Sequence, residues 1–167
     1  MKPVASAPAK ITLLGEHFFV YDEPTIVLAM NKREYVSVTS RKDKYTSMAW
    51  EKKVDVHLTK SVNLQLIVGN TGILRSTIEP VSKVRDLVTN YPKISNSIIK
   101  AWGKRVKRGL GTIRESNIKK LGELMNMNHG LLYAIGVSNS TLNLTVSATG
   151  EACALGAKLT GQEEVAW

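Results

Sequence analysis

Lys10, Glu16 and His17 lie close together in the stretch PAKITLLGEHFFV (8–20), at the end of one apolar run. If that run is a strand, an ammonium, a carboxylate and an imidazole are delivered to one end of it. Gly15 sits between strand and pair, where it allows a turn that other residues resist. These groups suit phosphate and small-acid chemistry. A carboxylate can hold a metal-bound phosphate, a lysine can neutralise one, and an imidazole can hydrogen-bond a small acid or alcohol. Read as bare residues, a Glu–His pair at a turn is more often a polar turn facing water, so spacing alone does not decide. A second approach to a turn lies in GAKLTG (156–161), where small and aliphatic residues alternate and arrive at Gly161. The residues that follow, QEEVAW, place two carboxylates and a bulky Trp where a ligand-facing turn calls for more glycine.

The elements that must position these groups are partly legible. VASAPAKITLL (4–14) reads as a strand running into Gly15, with Pro8 marking an edge or irregular start. TIVLAM (25–30) and EYVSVTS (34–40) read as two further strands, and VNLQLIVG (62–69) as a short buried strand closed by Gly69. Between 41 and 60 the pattern is charged, and only VDVHL looks strand-like. A helix then follows, capped by Ser76 or Thr77, with Val81, Val84, Leu87 and Val88 as its apolar stripe and Tyr91-Pro92 as its end. A second helix starts near 92 on Ile94, Ile98, Trp102 and Val106, and RGLGTIRES (108–116) is expected to be the turn after it. A third starts near Ser116 and carries Ile118, Leu121, Leu124, Met125, Asn128, Leu132 and Ile135 on one face. TLNLTVSAT alternates like a strand but also suits a helix.

The composition bounds the class. A chain of 167 residues, 43% hydrophobic and 22% charged, is a globular sequence with enough length for a real core. No apolar run approaches the ~20 residues of a membrane span, the N-terminus lacks the pattern of a signal peptide, and Cys153 is the only cysteine. A cytoplasmic protein with no membrane partner is expected. The net charge of +9 gathers at 41–44, 52–53, 104–108 and 119–120. Basic clusters attract polyanions, but solvated helix faces are the commoner explanation. Aromatic interleaving for single-strand stacking is missing, as is any zinc-finger spacing. Nucleic acid is not an expected partner, although a non-catalytic basic module that binds nucleic acid or a protein stays open as the alternative function.

PAKITLLGEHFFVYDEPTIVLAMNKR resembles the first motif of the GHMP small-molecule kinases, and within them the mevalonate kinases of archaeal type. LIVGNTGILRST (66–77), LGELMNMNHGLLYAIGVS (121–138) and ALGAKLTG (154–161) agree with the same family in the same order. The resemblance implies an ATP- and Mg2+-dependent kinase that phosphorylates the 5-hydroxyl of mevalonate in isoprenoid biosynthesis. It implies that Lys10, Glu16, Gly156 and Lys158 lie at the nucleotide and its phosphates, and that His17 and Thr71 contact mevalonate. Asn128 and His129 match a family NHG, for which helix packing and capping is at least as good a reading as substrate contact. The fold implied is α+β: a truncated GHMP kinase N-terminal domain over 1–60, and a ferredoxin-like C-terminal domain over 61–167, incomplete at its end.

The sequence also departs from the family. Its glycine loop, a phosphate cradle at a helix N-terminus, is missing between 40 and 66, as are the strand with the catalytic Asp and the helical Glu that holds magnesium. An internal deletion near 45–57 explains these losses together, and impaired activity is expected. In the family GAKLTG continues into a run such as AGGGG. Codons for Gly-Ala-Gly-Gly-Gly-Gly-Val that lose one G can read Gly-Gln-Glu-Glu-Val-Ala-Trp, the sequence of 161–167. QEEVAW is therefore expected to be a frameshifted third motif. Missing strands leave unpaired edges, so self-association, as a homodimer or larger, is expected.

Overall fold

The computed structural model describes residues 4–18, 21–37, 64–72, 78–161 and 164–166. The chain begins with an antiparallel ribbon of β1 (Val4–Leu14) and β2 (Ile26–Ser37). Ile11, Leu13 and Leu14, at the apolar end of β1, enter the core. Pairing is interrupted between Pro8 and Lys10, as suits a residue with no N–H to donate. The two strands expected at 25–30 and 34–40 are one. The polar residues between them stay extended because β1 is long enough to pair along the whole length, and the Arg33 guanidinium donates to Ser6 Oγ at 2.9 Å.

The expected strand at 62–69 is corrected as well. Residues 64–67 belong to no strand or helix, and β3 is only Val68–Asn70, with Gly69 inside it. Gln65 and Ile67 face solvent, so this segment is half-exposed instead of buried. The strand expected at VDVHL, the basic clusters at 41–44 and 52–53, and the Ser76 or Thr77 cap lie outside the described residues.

Four helices supply most of the core: α1 (Ile78–Asn90), α2 (Pro92–Arg114), α3 (Ile118–Ala134) and α4 (Ser140–Glu151). Tyr91 separates α1 from α2, and Ser95 ties the joint by donating to Leu87 O at 2.8 Å and Tyr91 O at 2.7 Å. The turn expected at 108–116 is instead helix as far as Arg114. Gly109 continues the buried phase of Trp102 and Val106, and it is glycine because a Cβ there would lie 2.4 Å from Leu14 Cδ1. The real break falls at Glu115–Asn117, where Ser116 is left-handed and Asn117 accepts from the Lys120 N–H at 3.1 Å to start α3. Two expected stripe residues, Ile94 and Ile118, face solvent. The undecided segment TLNLTVSAT is helical; Asn139 caps it by accepting from the Leu142 N–H at 2.8 Å.

A second sheet has the order β3-β5-β4, with β4 at Lys158–Thr160 and β5 at Glu164–Ala166. After the Gly161 turn the chain thus returns as a central strand, antiparallel to both neighbours, where sequence reading placed no element. One core joins the end of β1, all four helices and β4, so residues from both sides of position 60 share it. Trp102 is at its middle, fully buried against Phe18 with ring centroids 4.1 Å apart.

Candidate functional site

β1 ends in a turn that throws two charged or titratable side chains inward. Gly15 takes φ +102, and an added Cβ would lie 2.7 Å from Pro24 O, so only glycine fits. Glu16 follows, 6% exposed, and His17 follows with φ 64, in a left-handed conformation that a bulky residue holds only when its surroundings impose it. The surroundings do. Glu16 forms an ion pair with Lys158 of β4, and Lys158 has no exposed surface. The same ammonium donates to Thr12 O at 2.9 Å, and Thr160 Oγ1 donates to that carbonyl at 2.9 Å. Strands far apart in sequence are thereby fastened through a buried charge pair.

The helices complete the cluster. Asn128 of α3, fully buried, donates from Nδ2 to Glu16 Oε2 at 3.3 Å and accepts from Arg105 Nη2 at 3.1 Å. The Arg105 guanidinium lies 4.7 Å from the centre of the Trp102 ring. Two cations therefore face one carboxylate. Burial pushes the pKa of Arg105 down to about 10, with Glu16 pulling the other way. Burial likewise lowers that of Lys158, against Glu16 and with the push of Arg105.

Both histidines near this charge are held neutral. His17 is depressed mainly by burial, with Glu16 opposing and Lys158 adding to the effect. His129 is depressed by burial first, opposed by its bond to Asn143 and assisted by Lys158. The partners of His129 fix its tautomer. Nδ1 accepts from the Leu159 N–H at 3.3 Å, so the proton sits on Nε2 and is donated to Asn143 Oδ1 at 3.1 Å. Ser138 Oγ donates to the same oxygen at 2.7 Å. Protonating Nδ1 would set two N–H groups against each other. The folded pKa lies below the unfolded value of about 6.5, so this stabilisation is complete above pH 6.5 and is lost as pH falls from there towards the folded pKa. Urea unfolding between pH 7.5 and 5 is expected to show stability declining with acid, with a shallower decline in His129→Gln.

Of the six residues singled out from sequence, Glu16, His17 and Lys158 meet in this cluster. Lys10 is exposed on β1 and takes no part in the bonds above. Thr71 is half-buried just past β3. Gly156 packs on α3, where an added Cβ would lie 2.1 Å from Gly122 O, which explains why both positions are glycine. It also borders an apolar cavity of about 230 Å3 lined by Leu64, Leu66, Met125 and Leu155, which none of the charged residues touches. Sequence reading missed Arg105, Thr12, Thr160 and Asn143. For Arg105 the signal was its helical phase next to Trp102 and Val106, hidden inside a run of basic residues.

What the cluster lacks is as specific as what it has. Among the described residues His17 Nε2, Trp102 Nε1 and Arg105 Nε are buried without a hydrogen-bond partner. Buried polar atoms are rarely left so, and His17 Nε2 is the one carried by a strained backbone beside the buried ion pair.

Comparison with known proteins finds similar chains over part of the length. No protein-family model matches the chain. Mevalonate kinase of Thermococcus sibiricus is 45% identical over 105 residues, covering 60% of this chain and 32% of that protein. Mevalonate kinase of Pyrococcus horikoshii is 44% identical over 105 residues, with 60% and 31% covered. The crystal structure of L. major mevalonate kinase in complex with R-mevalonate superposes with a TM-score of 0.59 at 30% identity, over 60% of this chain and 32% of that one. The chain is a homologue of the archaeal-type mevalonate kinases. It spans about a third of the length of the curated mevalonate kinases it matches. The chain mixes helices and strands, and its structural neighbour is a mevalonate kinase. Among the described residues no helix is long and apolar enough to cross a membrane.

Proposed function

We propose that the β1 turn is the substrate side of a mevalonate kinase site, in which His17 hydrogen-bonds mevalonate with Thr71 as the second contact. The observation that carries this is His17 Nε2, buried and unpartnered on a left-handed residue whose neighbour is anchored by Lys158 and Asn128. A neutral imidazole next to a buried surplus of positive charge suits a hydroxy acid, whose hydroxyl it can bond while the cations favour the carboxylate. The solved relative that superposes on this chain is itself a mevalonate complex, which supports the same substrate class.

ATP and Mg2+ enter this reading through the family. Bound, they would supply the γ-phosphoryl group and the charge neutralisation that its transfer to the mevalonate 5-hydroxyl needs. Lys10, Glu16, Gly156 and Lys158 are the residues assigned to them, but the fit is poor in this fold. Glu16 and Lys158 are engaged with each other and closed off, and Gly156 is packed against α3. Phosphoryl transfer by this chain is proposed to be impaired while substrate binding is kept. A cytosolic setting belongs to the same reading.

Calorimetry with mevalonate, beside mevalonate-dependent ADP release with Mg-ATP, tests both halves. His17→Ala is expected to weaken mevalonate binding by about tenfold, the worth of one good hydrogen bond, with little ADP released by either protein. Folded protein whose binding ignores the substitution would refute the site. Turnover that depends on His17 would refute the impairment.

A further inference from the structure

The basic residues of α2 are sorted by helical phase in a way that the sequence clusters conceal. The helix holds seven lysines and arginines and no carboxylate. Arg105 turns inward, and the other six, Lys93, Lys100, Lys104, Lys107, Arg108 and Arg114, are all exposed. At ~100° per residue these six fall within an arc of about 120°, opposite the buried face of Ile99, Trp102, Val106 and Ile113. At 1.5 Å per residue the stripe runs for about 32 Å. Asn96, Ser97 and Gly111 occupy the rest of it. None of the six cationic heads makes an ion pair or hydrogen bond with a described residue; Glu115 stands beyond the helix end, and the Glu23 carboxylate lies against Gly103 at the edge of the stripe.

We propose that this face of α2 is a docking surface for double-stranded nucleic acid, bound through its phosphates without sequence preference. A solvated helix normally intersperses both signs of charge, whereas this one carries a single sign along its exposed length and pairs none of its cationic heads with a described residue. The stripe is about as long as one helical turn of a duplex, and its cations are spread along it at successive gaps of seven, four, three, one and six residues. The other polyanions fit less well. A membrane-surface helix lays its apolar face into the lipid, but here that face is committed to the core around Trp102. Single strands are gripped by stacking on aromatic rings, and the stripe has none.

Fluorescence anisotropy with a 20-base-pair mixed-sequence duplex, titrated from 25 to 200 mM salt, tests this. We expect log K to fall with log salt with a slope of about −4 to −5, each neutralised phosphate contributing about −0.9. In Lys100→Gln/Lys104→Gln/Lys107→Gln the slope should shrink by about 2.7 and the affinity at low salt should drop at least about tenfold. Lys32→Gln/Lys119→Gln/Lys120→Gln removes the same net charge elsewhere and should retain most of the binding. All six substituted positions are outside the core, and an unchanged circular dichroism melt confirms that each variant is folded. Absence of binding at 25 mM salt, equal losses in the two triple variants, or tighter binding to phosphatidylserine vesicles or polyglutamate than to the duplex would each overturn the proposal.

Discussion

Lys158→Ala is expected to lose about 3–5 kcal/mol of unfolding free energy, the cost of leaving a buried charge without its partner. Lys158 has no exposed surface, and its removal leaves Glu16 with Asn128 and the Arg105 charge only, and Thr12 O with one of its two donors. The cost comes from the orphaned carboxylate more than from the lost attraction, and that distinction can be measured. Lys158→Met/Glu16→Gln, which removes both charges and keeps the volumes, should recover part of the loss: replacing a buried pair by groups of similar shape is often near neutral, but Arg105 then loses the carboxylate that it faces. A double-mutant cycle by urea denaturation provides the coupling. If Lys158→Ala melts like the parent chain, the ion pair does not hold the ribbon to β4.

Trp102→Ala should be of similar size, about 3–5 kcal/mol, by loss of a large buried aromatic and the cavity it leaves. The indole is fully buried, packs on Phe18 and carries the Arg105 guanidinium on its face. Its removal therefore loosens the core and the support for Asn128 at once. Trp102→Phe is the informative companion. The indole N–H has no partner, so the smaller ring discards an unsatisfied donor along with some contact area, and the loss should be clearly less than for alanine. Denaturation followed by far-ultraviolet circular dichroism checks both without relying on the tryptophan itself.

How far the sequence foretold this molecule differs from element to element. β1 was readable to the residue, because an apolar run closed by Gly15 has few other interpretations. The C-terminus of α1 and the start of α3 were nearly right, since Pro92 and Asn117 act locally. The turn expected at RGLG was wrong for a physical reason: glycine there answers to the Leu14 side chain across the interface, and no local pattern records that contact. β5 was invisible because three residues of strand owe their conformation to β3 and β4, which flank them. At the site, the motif pointed to Glu16, His17 and Lys158, but not to the way they are arranged. Sequence placed Glu16 and Lys158 with a nucleotide, whereas the fold turns each towards the other. Arg105 was read with its basic neighbours as a solvated charge, when its phase on α2 sends it inward.

The Thr12 carbonyl, which receives both the Lys158 ammonium and the Thr160 hydroxyl, also says something about the order in which the chain can assemble. Its two partners are 146 and 148 residues away. The α2–α3 corner closes over a few residues and costs little chain entropy, whereas this junction can close only when almost the whole chain is available to loop back. The contacts that orient His17 are thus among the most distant in the molecule, and topology of that kind slows folding. A nascent chain would carry its helices in place while its N-terminal ribbon still waited for a fastening point, so the turn at Gly15–His17 would acquire its shape late.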